Sequence, residues 1–363
     1  MGGRPKTGWV GRQAGDRLLT VAEVAAGDVP VVVRAAQVPL PAGVVEGGEV
    51  READALSDAL RELFAKAGVK SKQVYLGVGN QRVVVREVAL PWLPEKELRD
   101  TLAFQVQEFI PMAAEEAVLD FDPLGEVDQG GRRMQRILLV AAHKAMVNAL
   151  VDAVVAARLE PVAVDLTPFA VVRAVGTGDE ALDLESPGDE AVIDVGAQVT
   201  SLCVHERGVT RFVRMLPSGG RDVTLAIARG LGIEDDLAET LKIGQQLPAP
   251  PGEDQPEPPD PADVSRLALS RAGSFVDEVR SSLEFYAAQV PGARIARMLV
   301  VGGGSRLEGF LELLQERIPV PVDRGRLFER AKSELELTAE AAAEAEAVLP
   351  VAVGLAMPNR RRA

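Results

Sequence analysis

Sulfur, imidazole and aromatic rings are all scarce in this chain. Of 363 residues, one is cysteine, two are histidine and 4% are aromatic. A lone thiol, Cys203, cannot close an intrachain disulfide, so nothing points to an oxidising compartment. His143 and His205, with no cysteine cluster beside them, exclude a zinc site and read as ordinary strand or helix residues. Positive charge is also short: 40 Lys and Arg stand against 54 Asp and Glu, for a net charge of -14. No basic patch interrupts the body of the chain, which excludes nucleic acid as the main partner. Arg360, Arg361 and Arg362 read as a solvated end. No run approaches the roughly 20 apolar residues of a membrane span. The opening Met1-Gly2-Gly3-Arg4 lacks the apolar stretch of a signal peptide. A cytoplasmic protein is therefore expected, one that meets a membrane only through partners.

Apolar residues make up 47% of the chain and charged ones 26%, the balance of a folded globular protein. The length allows two lobes. Residues 8–14 and 18–25 flank a Gly15-Asp16 turn as a β-hairpin, and Gly27-Asp28 precedes a strand at 29–33. Leu56, Leu60, Leu63 and Phe64 predict an amphipathic helix over 52–67, followed by a strand at 74–78. Residues 82–166 read as a compact inserted module of order β-α-β-β-α-β. Its strands are 83–90, 117–121, 135–142 and 161–166. Its first helix runs from Pro94 to about Ile110 and is stopped by Pro111; its second spans 144–158.

A polar, acidic stretch at 176–190 marks a boundary, after which the opening theme recurs. Strands at 191–196, 200–205 and 209–216 lead to a helix at 221–229. Residues 247–263, rich in proline and acids, predict an extended solvated loop. A helix at 264–289 and a strand at 297–301 follow. Gly302-Gly303-Gly304-Ser305 then opens a helix through about Arg317. An alanine- and glutamate-rich helix and an apolar segment at 348–357 end the chain.

Two strand-to-glycine loops could carry chemistry. In Val192-Ile193-Asp194-Val195-Gly196, the glycine admits a phosphate close to the backbone. Asp194 could hold magnesium indirectly, through one of the waters the ion retains. In the second loop, Gly302, Gly303, Gly304 and Ser305 would offer N–H groups at a helix start. Each signal alone is equally a tight turn or a cap.

Together and in this order, the loops resemble the second phosphate loop and the adenosine loop of the actin, Hsp70 and sugar-kinase superfamily. Three segments, Leu90-Pro91-Trp92-Leu93-Pro94-Glu95-Lys96-Glu97-Leu98, Glu108-Phe109-Ile110-Pro111 and Val118-Leu119-Asp120-Phe121, are similar to the inserted subdomain of the PilM family. That family is the cytoplasmic, actin-like component of type IV pilus assembly machines. Leu216 to Thr224 and Val300 to Leu307 also resemble it.

The resemblance implies an α/β, actin-like two-lobed fold with the β-α-β-β-α-β subdomain inserted in the first lobe. The first lobe would cover 1–175 with the partner-binding insert at 82–166. The second would cover 188–350 with the loop at 247–263, and 351–363 would form a C-terminal segment. It implies ATP and magnesium between the lobes, with adenosine contacts on the helix of Glu239 and Lys242, a pair that reads equally as a surface ion pair. It also implies that the cytoplasmic N-terminal peptide of a PilN-like membrane protein docks near the insert.

The first phosphate loop departs from the family pattern. Across Gly11, Gln13 and Gly15, Gln13 replaces the expected aspartate and Thr20 the expected lysine. Both changes count against ATP and magnesium and point to weak or lost hydrolysis. The expected role is thus an assembly scaffold rather than an enzyme. An active ATPase or kinase of the superfamily and an FtsA-like division protein are the alternatives.

Overall fold

The computed structural model describes the backbone of 6–10 and, in full, residues 18–177, 188–244, 259–290 and 292–357. Gly11, Gln13, Gly15, most of the proline-rich loop and the arginines at 360–362 lie outside the described residues.

The chain opens on β1 (Lys6–Val10), antiparallel to β2 (Leu18–Ala25), which pairs in turn with β3 (Val31–Pro39). A small hairpin of β4 (Val45–Glu46) and β5 (Glu49–Val50) leads into α1 (Ala53–Ala67) and β6 (Gln73–Val78). α1 buries Leu56, Leu60, Leu63 and Phe64 along one face and ends at Gly68, whose φ of 63° only glycine adopts cheaply. β6 runs parallel to β1.

β7 (Val83–Pro91), α2 (Glu95–Gln105), β8 (Ala117–Gln129) and β9 (Arg132–His143) build a separate antiparallel sheet of order β7-β9-β8. Leu98, Leu102, Val106, Ile110, Phe121, Ile137 and Leu139 form its own core. β8 and β9 are longer than their sequence signal, because pairing continues to Gln129 opposite Arg132 around a Gly130-Gly131 turn. α2 stops at Gln105, and a 3₁₀ turn (Gln107–Phe109) carries the apolar stripe on to Ile110.

The chain then leaves this sheet. α3 (Lys144–Ala156) packs on α1, and β10 (Glu160–Leu166) pairs parallel with β6. The expected element order over 82–166 occurs, but its last helix and strand belong to the first large sheet. The separately packed insert is therefore 83–143.

α4 (Thr167–Val175) crosses to the second half, where β11 (Asp189–Val195), β12 (Thr200–Glu206) and β13 (Val209–Leu216) form an antiparallel meander. The helices α5 (Gly220–Leu231), α6 (Asp235–Lys242) and α7 (Pro261–Gln289) follow. β14 (Ile295–Val301), α8 (Phe310–Arg317) and β15 (Val322–Arg324) complete a sheet of order β13-β12-β11-β14-β15. After α9 (Leu327–Arg330), β16 (Lys332–Ser333) returns to the edge of the first sheet, giving the order β10-β6-β1-β2-β3-β16. α10 (Ala339–Val348) and α11 (Pro350–Ala356) end the described chain.

Alternation along the strands sorts side chains into layers. Ile193, Leu202, Val204 and Val300 face α7 and α8, whereas Val192, Cys203, Leu299 and Val301 face inward. Burial on both faces explains the unbroken apolar runs of this sheet. Between the sheets lies one shared core, filled by α4 and α11. Residues 350–357 are thus part of the middle layer of the protein. α11 crosses α4 so closely that a β-carbon on Gly354 would fall 1.8 Å from the Ala170 carbonyl oxygen.

Candidate functional site

A narrow cleft, open to solvent, runs between the two large sheets. Leu18, Thr20 and Gln37 line it from the first, and Asp194, Gly196, Gly302 and Gly303 from the second. The junction of α10 and α11, residues 347–352, forms its floor.

The wall from the second sheet is made of loops in close contact. A β-carbon on Gly302 would lie 2.4 Å from the Val195 carbonyl oxygen and 2.5 Å from Asp194 Oδ1. Gly302 also holds a φ of 92°, so packing and backbone both demand glycine there. Gly304 rests against Val195 and the Gly196 carbonyl. The Gly220 and Arg221 amides donate to the Gly196 and Ala197 carbonyls, each at 2.9 Å.

Lys242 reaches this wall from α6. Its Nζ donates to the Gly220 carbonyl (3.1 Å), Thr224 Oγ1 (2.9 Å) and Glu239 Oε2 (2.7 Å). Thr224 hydrogen-bonds the same Glu239 carboxylate. The Lys242 side chain is 13% exposed and that of Glu239 38%, so the ammonium is part-buried behind the Gly196 turn while its pair with Glu239 opens to solvent.

Ser305 is turned away from the cleft. Its side chain is buried, and its hydroxyl donates to the Gly302 carbonyl at 2.7 Å. The glycine run opens only a 3₁₀ turn (Gly303–Arg306), and α8 begins five residues after Ser305. The Gly302 amide donates to the Ala347 carbonyl at 2.8 Å. Gly302 and Ser305 therefore brace the loop, and Gly302 and Gly303 face the cleft.

On the opposite wall Thr20 is buried and accepts from Gln37 Nε2 at 2.9 Å. Where a lysine would reach the phosphates, a neutral hydroxyl is already bonded sideways. Among the described residues no group of three or more His, Cys, Asp and Glu could hold a metal ion, and Asp194 is the carboxylate that lines the cleft. The described part of the first wall adds no cation to it.

Sequence reading missed Gln37 and the 347–352 floor. Neither carries a local signal, because each enters the site only when the sheets stack. Gly220 and Thr224 lie in the segment Leu216 to Thr224, where the resemblance gave neither a role.

A family described as type IV pilus assembly protein PilM matches residues 17–360. The chain belongs to this PilM family. It also resembles a solved PilM-PilN type IV pilus biogenesis complex, with a TM-score of 0.80 and 26% identity over 97% of both chains. The cell division protein FtsA of Streptococcus pneumoniae is 25% identical over 303 residues, 74% of this chain and 64% of the relative. FtsA of Pseudomonas aeruginosa is 28% identical over 153 residues, 37% of this chain and 35% of the relative. The chain thus spans less than two thirds of these curated relatives.

EutJ of Carboxydothermus hydrogenoformans (TM-score 0.55, 18% identity, 98% of this chain and 90% of that one) shares the fold. So does MreB5 of Spiroplasma citri, solved bound to ADP (TM-score 0.52, 12% identity, 97% and 94%). PilM membership and these neighbours make the fold actin-like and two-lobed. Among the described residues no helix is long and apolar enough to cross a membrane.

Proposed function

We propose that this PilM-family chain is an assembly scaffold that holds the cytoplasmic N-terminal peptide of a PilN-like membrane protein and so works at the inner face of the membrane. The observation that carries this reading is the likeness to the PilM-PilN complex over 97% of both chains. The insert at 83–143 supports it, since a module with its own core offers a surface independent of the cleft. The peptide would add to a strand edge or lie in an apolar groove beside that module.

In the same reading the cleft holds ATP. Asp194, through water, would keep magnesium beside the phosphates, and magnesium would supply charge neutralisation there. Gly196, Gly303 and Gly304 would let the nucleotide approach the backbone, and Glu239 and Lys242 would border the adenosine. Thr20, bonded to Gln37, supports binding with weak or lost hydrolysis.

Fluorescence anisotropy with a labelled peptide from the neighbouring membrane protein tests the scaffold role. Saturable binding is expected. Absence of binding, with and without ATP and magnesium, overturns it.

A further inference from the structure

The hairpin of β4 and β5 belongs to the first lobe, yet its tip touches the second. The Gly47 amide donates to Gln198 Oε1 at 2.8 Å, between residues 151 apart in the chain. Gln198 follows the Gly196-Ala197 turn that walls the cleft. Gly47 and Gly48 both hold positive φ, 55° and 76°, which turns the Gly47 N–H outward across the gap.

The other side of the hairpin is braced on the start of the insert. Asn80 Nδ2 donates to the Gly48 carbonyl at 3.4 Å and to Met146 Sδ at 2.9 Å. Asn80 Oδ1 accepts from the Arg82 amide at 2.9 Å, and Arg82 Nη1 reaches Glu49 Oε2 at 3.2 Å. β7 begins at the next residue. A continuous run of hydrogen bonds thus leads from the cleft loop, through five hairpin and turn residues, to the module. Asn80 is its hub, buried at 1% exposure, where an unmade bond costs most.

We infer that Gln198 is a positioning residue that couples occupancy of the cleft to the inserted module through the hairpin at 45–50. The inference rests on the nucleotide and peptide reading above. A ligand drawing the Gly196-Ala197 turn toward it carries Gln198 along. Gly47 and the Asn80–Arg82 turn then follow or release. By linkage, nucleotide and peptide must change each other's affinity by one and the same factor.

The test is a binding cycle on the full chain by calorimetry, measuring peptide with and without ATP-magnesium, in the wild type, Gln198→Met and Gln198→Glu. Methionine keeps the length and removes the acceptor; glutamate keeps an acceptor oxygen. The wild type should show a factor on the order of fivefold, Gln198→Met a factor near one, and Gln198→Glu a recovered factor.

Amide exchange of the ligand-free protein gives a second readout. Residues 45–50 should exchange faster in Gln198→Met and return toward wild type in Gln198→Glu. Failure of ATP to bind the wild type sinks the nucleotide reading and this inference with it. Normal binding of both ligands with an unchanged factor in Gln198→Met sinks the inference alone. That result would move the coupling to the place where β7 packs beside β13. Unaltered exchange at 45–50 overturns it as well.

Discussion

Glu190 Oε1 stands 3.0 Å from His205 Nε2, with the two side chains 3% and 0% exposed. The carboxylate also accepts from the Thr177 amide (2.8 Å) and hydroxyl (3.0 Å) and from Arg297 Nε (2.5 Å). Thr177 follows α4, so the cluster ties the crossing between the lobes to the second sheet. Burial pushes the Glu190 carboxyl up, but His205, the Thr177 amide and Arg297 outweigh it and hold the group at about 2.

A lowered carboxyl contributes stability above its unfolded value near 4.5 that fades as pH falls toward about 2. Glu190→Gln should therefore cost on the order of 3 kcal/mol near neutral pH. The gap to wild type should shrink steadily below pH about 4.5. Urea unfolding at neutral and acidic pH reads this directly, and a gap that does not change with pH would contradict it.

Cys203 is buried among apolar neighbours, and burial pushes its thiol up to about 12 despite a contact to Thr210. The thiolate is the reactive form. A maleimide should label the native protein only at the rate of unfolding and react at once in denaturant. Rapid labelling of the native chain would show that the shared core opens far more readily than its packing implies.

Gly354→Ala places a methyl group 1.8 Å from the Ala170 carbonyl oxygen. α4 and α11 must separate, with a cost of about 3 kcal/mol typical of an overpacked core. Both lobes share this layer, so one cooperative loss in thermal melting is expected. Wild-type stability of the variant would refute the tight crossing.

Lys242→Met removes an ammonium that makes three hydrogen bonds at the cleft wall. If Lys242 borders the nucleotide, affinity should fall roughly tenfold, the effect of one charge-assisted bond. Glu239 would be left beside Thr224 without its counter-ion. Unchanged ATP affinity in calorimetry would confine Lys242 to bracing α6 on α5.

Local chemistry made much of this protein legible. The stripe Leu56, Leu60, Leu63 and Phe64 specifies α1, since helical spacing puts these residues on one face. The runs ending at Gly196 and Gly302 mark strands buried on both faces and the loops after them. The order of elements through 82–166 was also readable, because each has its own periodicity.

Contacts between distant segments were not readable, because a single element carries no record of its neighbour. Periodicity could not say that α3 and β10 leave the insert for the first sheet, where α1 and β6 receive them. The apolar run after 350 shows no sign that it fills the space between two sheets. Gly47 and Gln198 meet only because the two lobes stack. The sequence by itself determined the elements, the charge balance and the family. The tertiary structure alone decided which glycines pack and which face the cleft, and how the cleft touches the insert. Those outcomes depend on close packing and hydrogen bonds between residues more than a hundred positions apart, which local propensity does not encode.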